Sequence, residues 1–355
     1  MIINCSYLDK NFEIVEEGNL VIKKGKILEC NYGFVNGEDF KNFLVIPCLI
    51  NAHTHIGDSF AKDAIKNLNV KEACGKNGIK WKFYKEANNE EILNSIRNSA
   101  LQMISFGICA FADFREFGVE GVKILKESIK GIPIDCKILA RNIKIEDLNY
   151  VDGIGINIYN LKDFDENFFY ELKKANKIFA VHAGECEGEI KEILNFKFSP
   201  DIIVHFLNPS DEEIEIVKKR NINIVLCPRS NFLLKSGIPD AGKLIENKIN
   251  VCVGTDNFML NSPNLWREIE FLYKISSLKN FVEPKEILKM VTINAAKALN
   301  LNCGVIDKNK DASLIFINKN SRNLKYSKDL ITSLVNRCEK EDIEKIMIKG
   351  EIVEI

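Results

Sequence analysis

Between residues 48 and 276 the chain alternates short apolar, β-prone runs with helical patterns, and this rhythm restricts the possible folds more than any other feature. Strand-like runs fall at 48–54, 107–113, 134–140, 153–158, 178–183, 201–206, 222–227 and 251–255. Helical patterns occupy 90–105, 119–130, 165–175, 187–195, 211–220, 240–247 and 264–276, with Ser210 and Asp240 standing where N-caps are expected. Repeated β-α units imply a parallel sheet. Eight of them over roughly 250 residues predict an α/β fold of the closed (β/α)8, TIM-like barrel type. The alternative is an open doubly wound sheet, which periodicity does not exclude. Neither Gly153-Ile154-Gly155 nor Gly75-x-x-Gly78 completes a phosphate-binding fingerprint, so a nucleotide cofactor is not expected.

Both ends of the chain read as β structure. Asn19-Leu20-Val21-Ile22 and Lys26-Ile27-Leu28 lie between turn signals at Gly18, Lys24-Gly25, Gly33 and Asn36-Gly37. Ala312–Ile317 and Ile343–Glu354 repeat the pattern at the far end. Each piece is too small to stand alone, so the two are expected to pair as one small β-sheet domain. The expected organisation is residues 1–47 and 304–355 for that domain, flanking a catalytic barrel over 48–303.

Composition narrows the class. With 49 basic against 50 acidic side chains, the chain has no excess positive charge to draw nucleic acid or anionic lipid, and a small-molecule partner is expected instead. Eleven cysteines, an odd number without a Cys-x-x-Cys pair, read as reduced thiols. No apolar run approaches a membrane span and the N-terminus lacks a signal-like segment, so a cytoplasmic protein is expected, and a homo-oligomer is allowed.

The chain has four histidines, and their positions carry the chemistry. His53 and His55 end the run that starts at Pro47; alternate side chains of a strand share a face, so the two rings project together. His182 ends the fifth strand-like run and His205 the sixth, while Asp256 follows the eighth. In a barrel the carboxyl ends of all strands open on one face, where these five groups would meet. Nitrogen ligands with one carboxylate suit Zn²⁺ or Fe²⁺ better than Ca²⁺ or Mg²⁺.

Taken together, Pro47-x-Leu-Ile-Asn-Ala-His-Thr-His55, His182-Ala-Gly-Glu185, Val204-His205 before Asp211-Glu-Glu-Ile, Cys227-Pro-Arg-Ser-Asn231 and Gly254-Thr-Asp256 resemble the amidohydrolase superfamily. Asn294-Ala-Ala-Lys-Ala-Leu299, Gly304-Val-Ile and Lys310-Asp-Ala312 are similar to its closing segment. The resemblance spans nearly the whole chain, and within the superfamily it is to the branch of cytosine, adenosine, guanine and S-adenosylhomocysteine deaminases and the chlorohydrolases. It implies one divalent ion, Zn²⁺ or as the alternative Fe²⁺, held by His53, His55, His182 and Asp256. The fourth strand, Ile154–Tyr159, ends in neither Lys nor Glu, which by the same resemblance argues against a second metal.

The expected chemistry follows. A bound divalent ion lowers the pKa of its water toward roughly 7. Asp256 would take the proton and hydroxide would attack the amino-bearing carbon. Glu185, kept protonated by burial, would donate to the neighbouring ring nitrogen before ammonia leaves, and His205 would steady the developing charge. Arg141, Arg229 and Asn231 are candidate substrate contacts. So is Trp81, in the connection 56–89, which is long enough to form either an aromatic lid or a satellite core. The zinc deaminases that use His-x-Glu with Pro-Cys-x-x-Cys are excluded, because Pro47-Cys48 leads to Asn51. Hydrolytic deamination of a nucleobase, nucleoside-like molecule or pterin is the first expectation. Hydrolysis of another C–N or C–Cl bond, such as a cyclic amide, imidazolone or chlorinated ring, is the second, and a non-catalytic binding relative the third.

Overall fold

Strands from both ends of the chain join in one sheet. In the computed structural model, which describes residues 1–354, β1 (Ile2–Leu8), β2 (Ile14–Lys23), β3 (Lys26–Tyr32) and β4 (Glu38–Pro47) come first. They are joined by β14 (Leu314–Asn318), β15 (Ile343–Ile348) and β16 (Glu351–Val353), in the order β16-β15-β14-β4-β1-β2-β3. The sheet buries Ile3, Leu20, Val45, Phe316 and Met347 in a core of its own. Neither terminal piece has enough apolar surface alone, so the contact between β4 and β14 is what lets both fold.

The second sheet is parallel throughout. It runs through β5 (Leu49–His55), β6 (Ile108–Arg115), β7 (Asp135–Ala140), β8 (Gly153–Asn157), β9 (Ile178–Ala183), β10 (Ile202–His205), β11 (Asn223–Leu226) and β12 (Val251–Val253). β13 (Asp256–Asn257) then pairs with β5 through Asp256↔Thr54 and Asn257↔His55. Since β12 and β13 are two pieces of one run, interrupted at Gly254-Thr255, the sheet returns to its first strand and the barrel closes. The open doubly wound alternative is thereby set aside. The helices lie where the periodicity put them, and Ser210 and Asp240 both cap theirs with side-chain oxygens.

Two features make the seam. Asn51 accepts the Thr255 N–H at 3.0 Å and donates to the Thr255 hydroxyl at 2.6 Å, tying β5 to the break before Asp256. Gly254 is needed because a Cβ there would lie 2.7 Å from both the amide nitrogen and the carbonyl oxygen of His53. Gly254→Ala is therefore expected to destabilise the protein by about 1–3 kcal/mol, the usual range for overpacking, and to displace His53. A urea titration with a parallel metal assay reads both effects; unchanged stability and metal content would remove Gly254 from the account.

The stretch after residue 304 serves both units. Its strands complete the small sheet, but the helix Leu330–Arg337 packs against the helices Leu265–Ser276 and Pro284–Met290, with Leu334 and Val335 in the barrel's core. All eleven cysteines are free. Among the described residues no helix is long and apolar enough to cross a membrane.

Candidate active site

The carboxyl ends of the strands bring four histidines, one aspartate and one glutamate together. His53, His55, His182, His205 and Asp256 are all buried. Ring nitrogens of His53, His55 and His182 lie within 4.8 Å of one another. The Asp256 carboxylate stands 3.2 Å from His53 Nε2 and 3.6 Å from His55 Nε2, and His182 Nε2 stands 3.1 Å from His53 Nε2. Three ring nitrogens and a carboxylate oxygen converging at these distances form a donor cluster that could hold one metal ion. Burial pushes the pKa values of His55 and His182 well below the ordinary range, so both rings are neutral at neutral pH and keep the lone pair a metal needs. The Nδ1 atoms of His53 and His55 have no hydrogen-bond partner. The donor set, neutral imidazoles with one carboxylate, thus fits a borderline divalent ion.

Backbone strain helps to hold these groups. His205 and Asp256 have φ of 80° and 58°, left-handed values that cost energy in residues with a Cβ and persist where the surroundings fix them. Both turn the chain sharply at a strand end. Polar neighbours then orient the rings. His182 Nδ1 donates to Asn157 Oδ1 at 2.6 Å, which leaves Nε2 free to face the cluster. The Asn231 amide donates to His205 Nδ1 at 3.0 Å, so the His205 proton sits on Nε2, 3.2 Å from Glu185 Oε2.

Glu185 stands apart from the other carboxylates. Burial, reinforced by Asp256 and Glu189, pushes its pKa well above the usual range. It lines a cavity of about 540 Å³ together with His55, His182, His205 and Asp256.

Arg141 is the one expected substrate contact on the cavity wall. The other three have partners elsewhere. Arg229 forms an ion pair with buried Glu268 and donates to the Ser262 carbonyl at 3.0 Å, which fastens the start of the helix Leu265–Ser276. Asn231 is wholly buried behind His205 and acts on that ring. Trp81 donates to the Gly75 carbonyl at 2.8 Å and packs on Tyr84 and Phe117. The connection 56–89 forms a satellite core, and its Val70, Cys74 and Gly75 also line the cavity, with Trp81 off that wall. It folds as a short 3₁₀ turn and two helices whose Ala61, Ile65 and Ala73 form a satellite core with Leu234, Met259 and Leu260.

A charged network beside His55 escaped the sequence analysis. Lys80, buried, donates to Asp58 at 2.8 Å and to Glu116 at 2.7 Å; Arg141 adds a contact to Glu116 at 3.3 Å. The Tyr84 hydroxyl donates to Asp58 at 2.6 Å, as does the Asn257 amide. Glu116 in turn lies 3.7 Å from His55 Nδ1. Burial alone would raise the Glu116 pKa, but Arg141 and Lys80 outweigh it and hold the carboxyl down to about 2. Its folded value being below the ordinary 4.5, its charge stabilises the fold above that pH, and the contribution disappears as pH falls toward about 2. Glu116→Gln is expected to lower stability near neutral pH and to flatten this acid limb; urea midpoints across the acid range read both, and an unaltered limb would contradict the assignment.

Comparison with known proteins agrees with the site. The amidohydrolase family profile matches residues 158–353. An uncharacterized protein of Methanocaldococcus jannaschii is 35% identical over 363 residues, 93% of each chain. A putative aminohydrolase of Methanothermobacter thermautotrophicus is 33% identical with 94% of each chain covered. A 5-methylthioadenosine/S-adenosylhomocysteine deaminase of Clostridium tetani is 27% identical, covering 98% of this chain and 91% of that one. The chain belongs to the amidohydrolase family and is a hydrolase acting on carbon–nitrogen bonds. The fold is shared with solved structures of low sequence identity. Guanine deaminase of Clostridium acetobutylicum superposes with a TM-score of 0.81 at 18% identity, covering 99% of both chains. The atrazine chlorohydrolase of Arthrobacter aurescens, complexed with zinc, superposes at 0.85 and 15% identity, covering 99% of this chain and 94% of that one.

Proposed function

We propose that the protein is a mononuclear metal-dependent deaminase that hydrolyses an aminated heterocycle and releases ammonia. The observation that carries this reading is Glu185: a carboxyl on the cavity wall, 3.2 Å from His205 Nε2 and within 4.8 Å of a His182 ring nitrogen, whose pKa burial pushes well above the ordinary range. Relatives named as deaminases over most of the chain's length support it.

His53, His55, His182 and Asp256 would hold the ion, which supplies Lewis-acid activation of water when bound. The chain's own groups supply the rest. Glu185 donates its proton to the ring nitrogen adjoining the amino-bearing carbon, so that negative charge does not build up there. Asp256 accepts a proton from the attacking water and returns it to the departing amine, and the second water proton, released as the carbonyl forms, restores Glu185. His205, with its Nε2 proton set by Asn231, donates to the oxygen that gains charge. Asn157 keeps His182 in the tautomer that leaves Nε2 available.

The test is an ammonia-release screen of the zinc-loaded protein against purines, pyrimidines, their nucleosides and pterins, repeated after chelation and with Fe²⁺. Ammonia from at least one class, lost on chelation and regained on reloading, is the expected result. Release of chloride or a ring-opened acid without ammonia would replace this reading by another hydrolysis on the same site.

A further inference from the structure

The inner and outer walls of the cavity differ in charge. Inside, Lys80 and Arg141 are balanced by Asp58 and Glu116. At the mouth stand three exposed lysines from two sides of the opening: Lys71 and Lys76 from the connection after β5, and Lys162 from the turn after β8. Among the described residues none of the three pairs with a carboxylate. The same rim carries two carboxylates, whose hydrogen bonds come from neutral donors. Glu189 accepts the backbone N–H groups of Gly184, Glu185 and Cys186 at 2.9, 3.0 and 3.0 Å, and Asp163 accepts the Asn160 amide at 2.8 Å. Three lysines against two carboxylates leave the rim with an excess of positive charge, and a concave, low-dielectric cleft focuses such a field toward whatever enters.

We propose that this rim selects an anionic substrate: an aminated heterocycle bearing a phosphate or carboxylate, held by Lys71, Lys76 and Lys162 while the ring lies against Glu185. The identity of the reacting ring rests on the deaminase reading, whereas the anion subsite is a property of binding and is measured without turnover. Lysine acts here as a mobile point charge, not as a planar fork, so it accommodates either anion.

The test uses matched pairs that differ by one anionic group: adenosine and its 5′-monophosphate, guanosine and its 5′-monophosphate, cytosine and 5-carboxycytosine, pterin and its 6-carboxylate. Calorimetric titration of the metal-free full-length protein measures each Kd, for the wild type and for the Lys71→Gln/Lys76→Gln/Lys162→Gln variant. All three side chains are exposed, so the variant is expected to fold. The expected result is that the anionic member of at least one pair binds tenfold or more tightly in the wild type, with the advantage shrinking at high salt and vanishing in the variant. The phosphate and carboxylate pairs tell which anion is meant. No advantage in any pair, or one that survives in the variant, overturns the proposal. Ammonia assays on the same pairs separate it from the reading it rests on. A lysine-dependent binding advantage with no ammonia from any compound keeps the subsite and removes the deaminase. Equal turnover of both members by both proteins keeps the deaminase and removes the subsite.

Discussion

Replacing Glu185 by Gln is expected to lower kcat by about 10²–10⁴-fold, the range typical of a lost general acid, while bound metal and substrate KM stay near their wild-type values. The amide keeps the volume and one hydrogen-bond partner for His205, so the neighbouring ring holds its place. What disappears is the proton for the ring nitrogen. Burial pushes the Glu185 pKa upward, toward the protonated form a general acid requires. Comparing kcat with KM separates this from loss of binding. If Glu185→Gln turned over as fast as the wild type, the proton would have to come from elsewhere, and His205 would be the group to examine.

The second large effect concerns stability. Lys80→Met is expected to destabilise the protein by about 3–5 kcal/mol, because removing one partner of a buried ion pair leaves an uncompensated charge. Here two carboxylates lose their shared ammonium at once: Asp58 keeps the Tyr84 hydroxyl and the Asn257 amide, while Glu116 keeps only Arg141 and its distant partners. Burial alone would pull the Lys80 pKa down, yet Asp58 and Glu116 outweigh it and hold the group charged. The triple change Lys80→Met/Asp58→Asn/Glu116→Gln is expected to recover part of the loss, because the unpaired charges go too. Chemical denaturation of the single and triple variants measures this. A single variant as stable as the wild type would mean that the network contributes nothing to the fold.

The barrel was legible because its evidence is periodic. Each strand repeats the same short apolar run, and each helix the same amphipathic pattern, so an error at one boundary leaves the count intact. The cluster was legible for a related reason: His53, His55, His182, His205 and Asp256 all fall at the end of a strand-like run, and closure of the sheet turns that shared position into shared space. Glu116 and Asn157 obey the same rule, standing just after β6 and at the end of β8, and reading every polar residue at a strand's carboxyl end would have found both.

Lys80 offered no such sign. In the sequence it is one of several lysines between Lys71 and Lys85, and only the folding of residues 56–89 onto the barrel takes it out of water while its neighbours stay at the surface. Arg229 and Trp81 show the converse. Residue type and position after a strand or in a loop made them resemble substrate contacts, but their partners, Glu268 and the Gly75 carbonyl, are set by helix packing and by a local turn that no pattern displays.

The most direct measurement of the account is a crystal structure of the purified, metal-loaded protein with anomalous data at the zinc and iron edges, together with elemental analysis of the same sample. The account predicts one divalent ion per chain, about 2.0–2.2 Å from nitrogens of His53, His55 and His182 and from an Asp256 oxygen, with Glu185 and His205 facing it across the cavity. Protein that binds no ion after loading, or binds it at other residues, would contradict it.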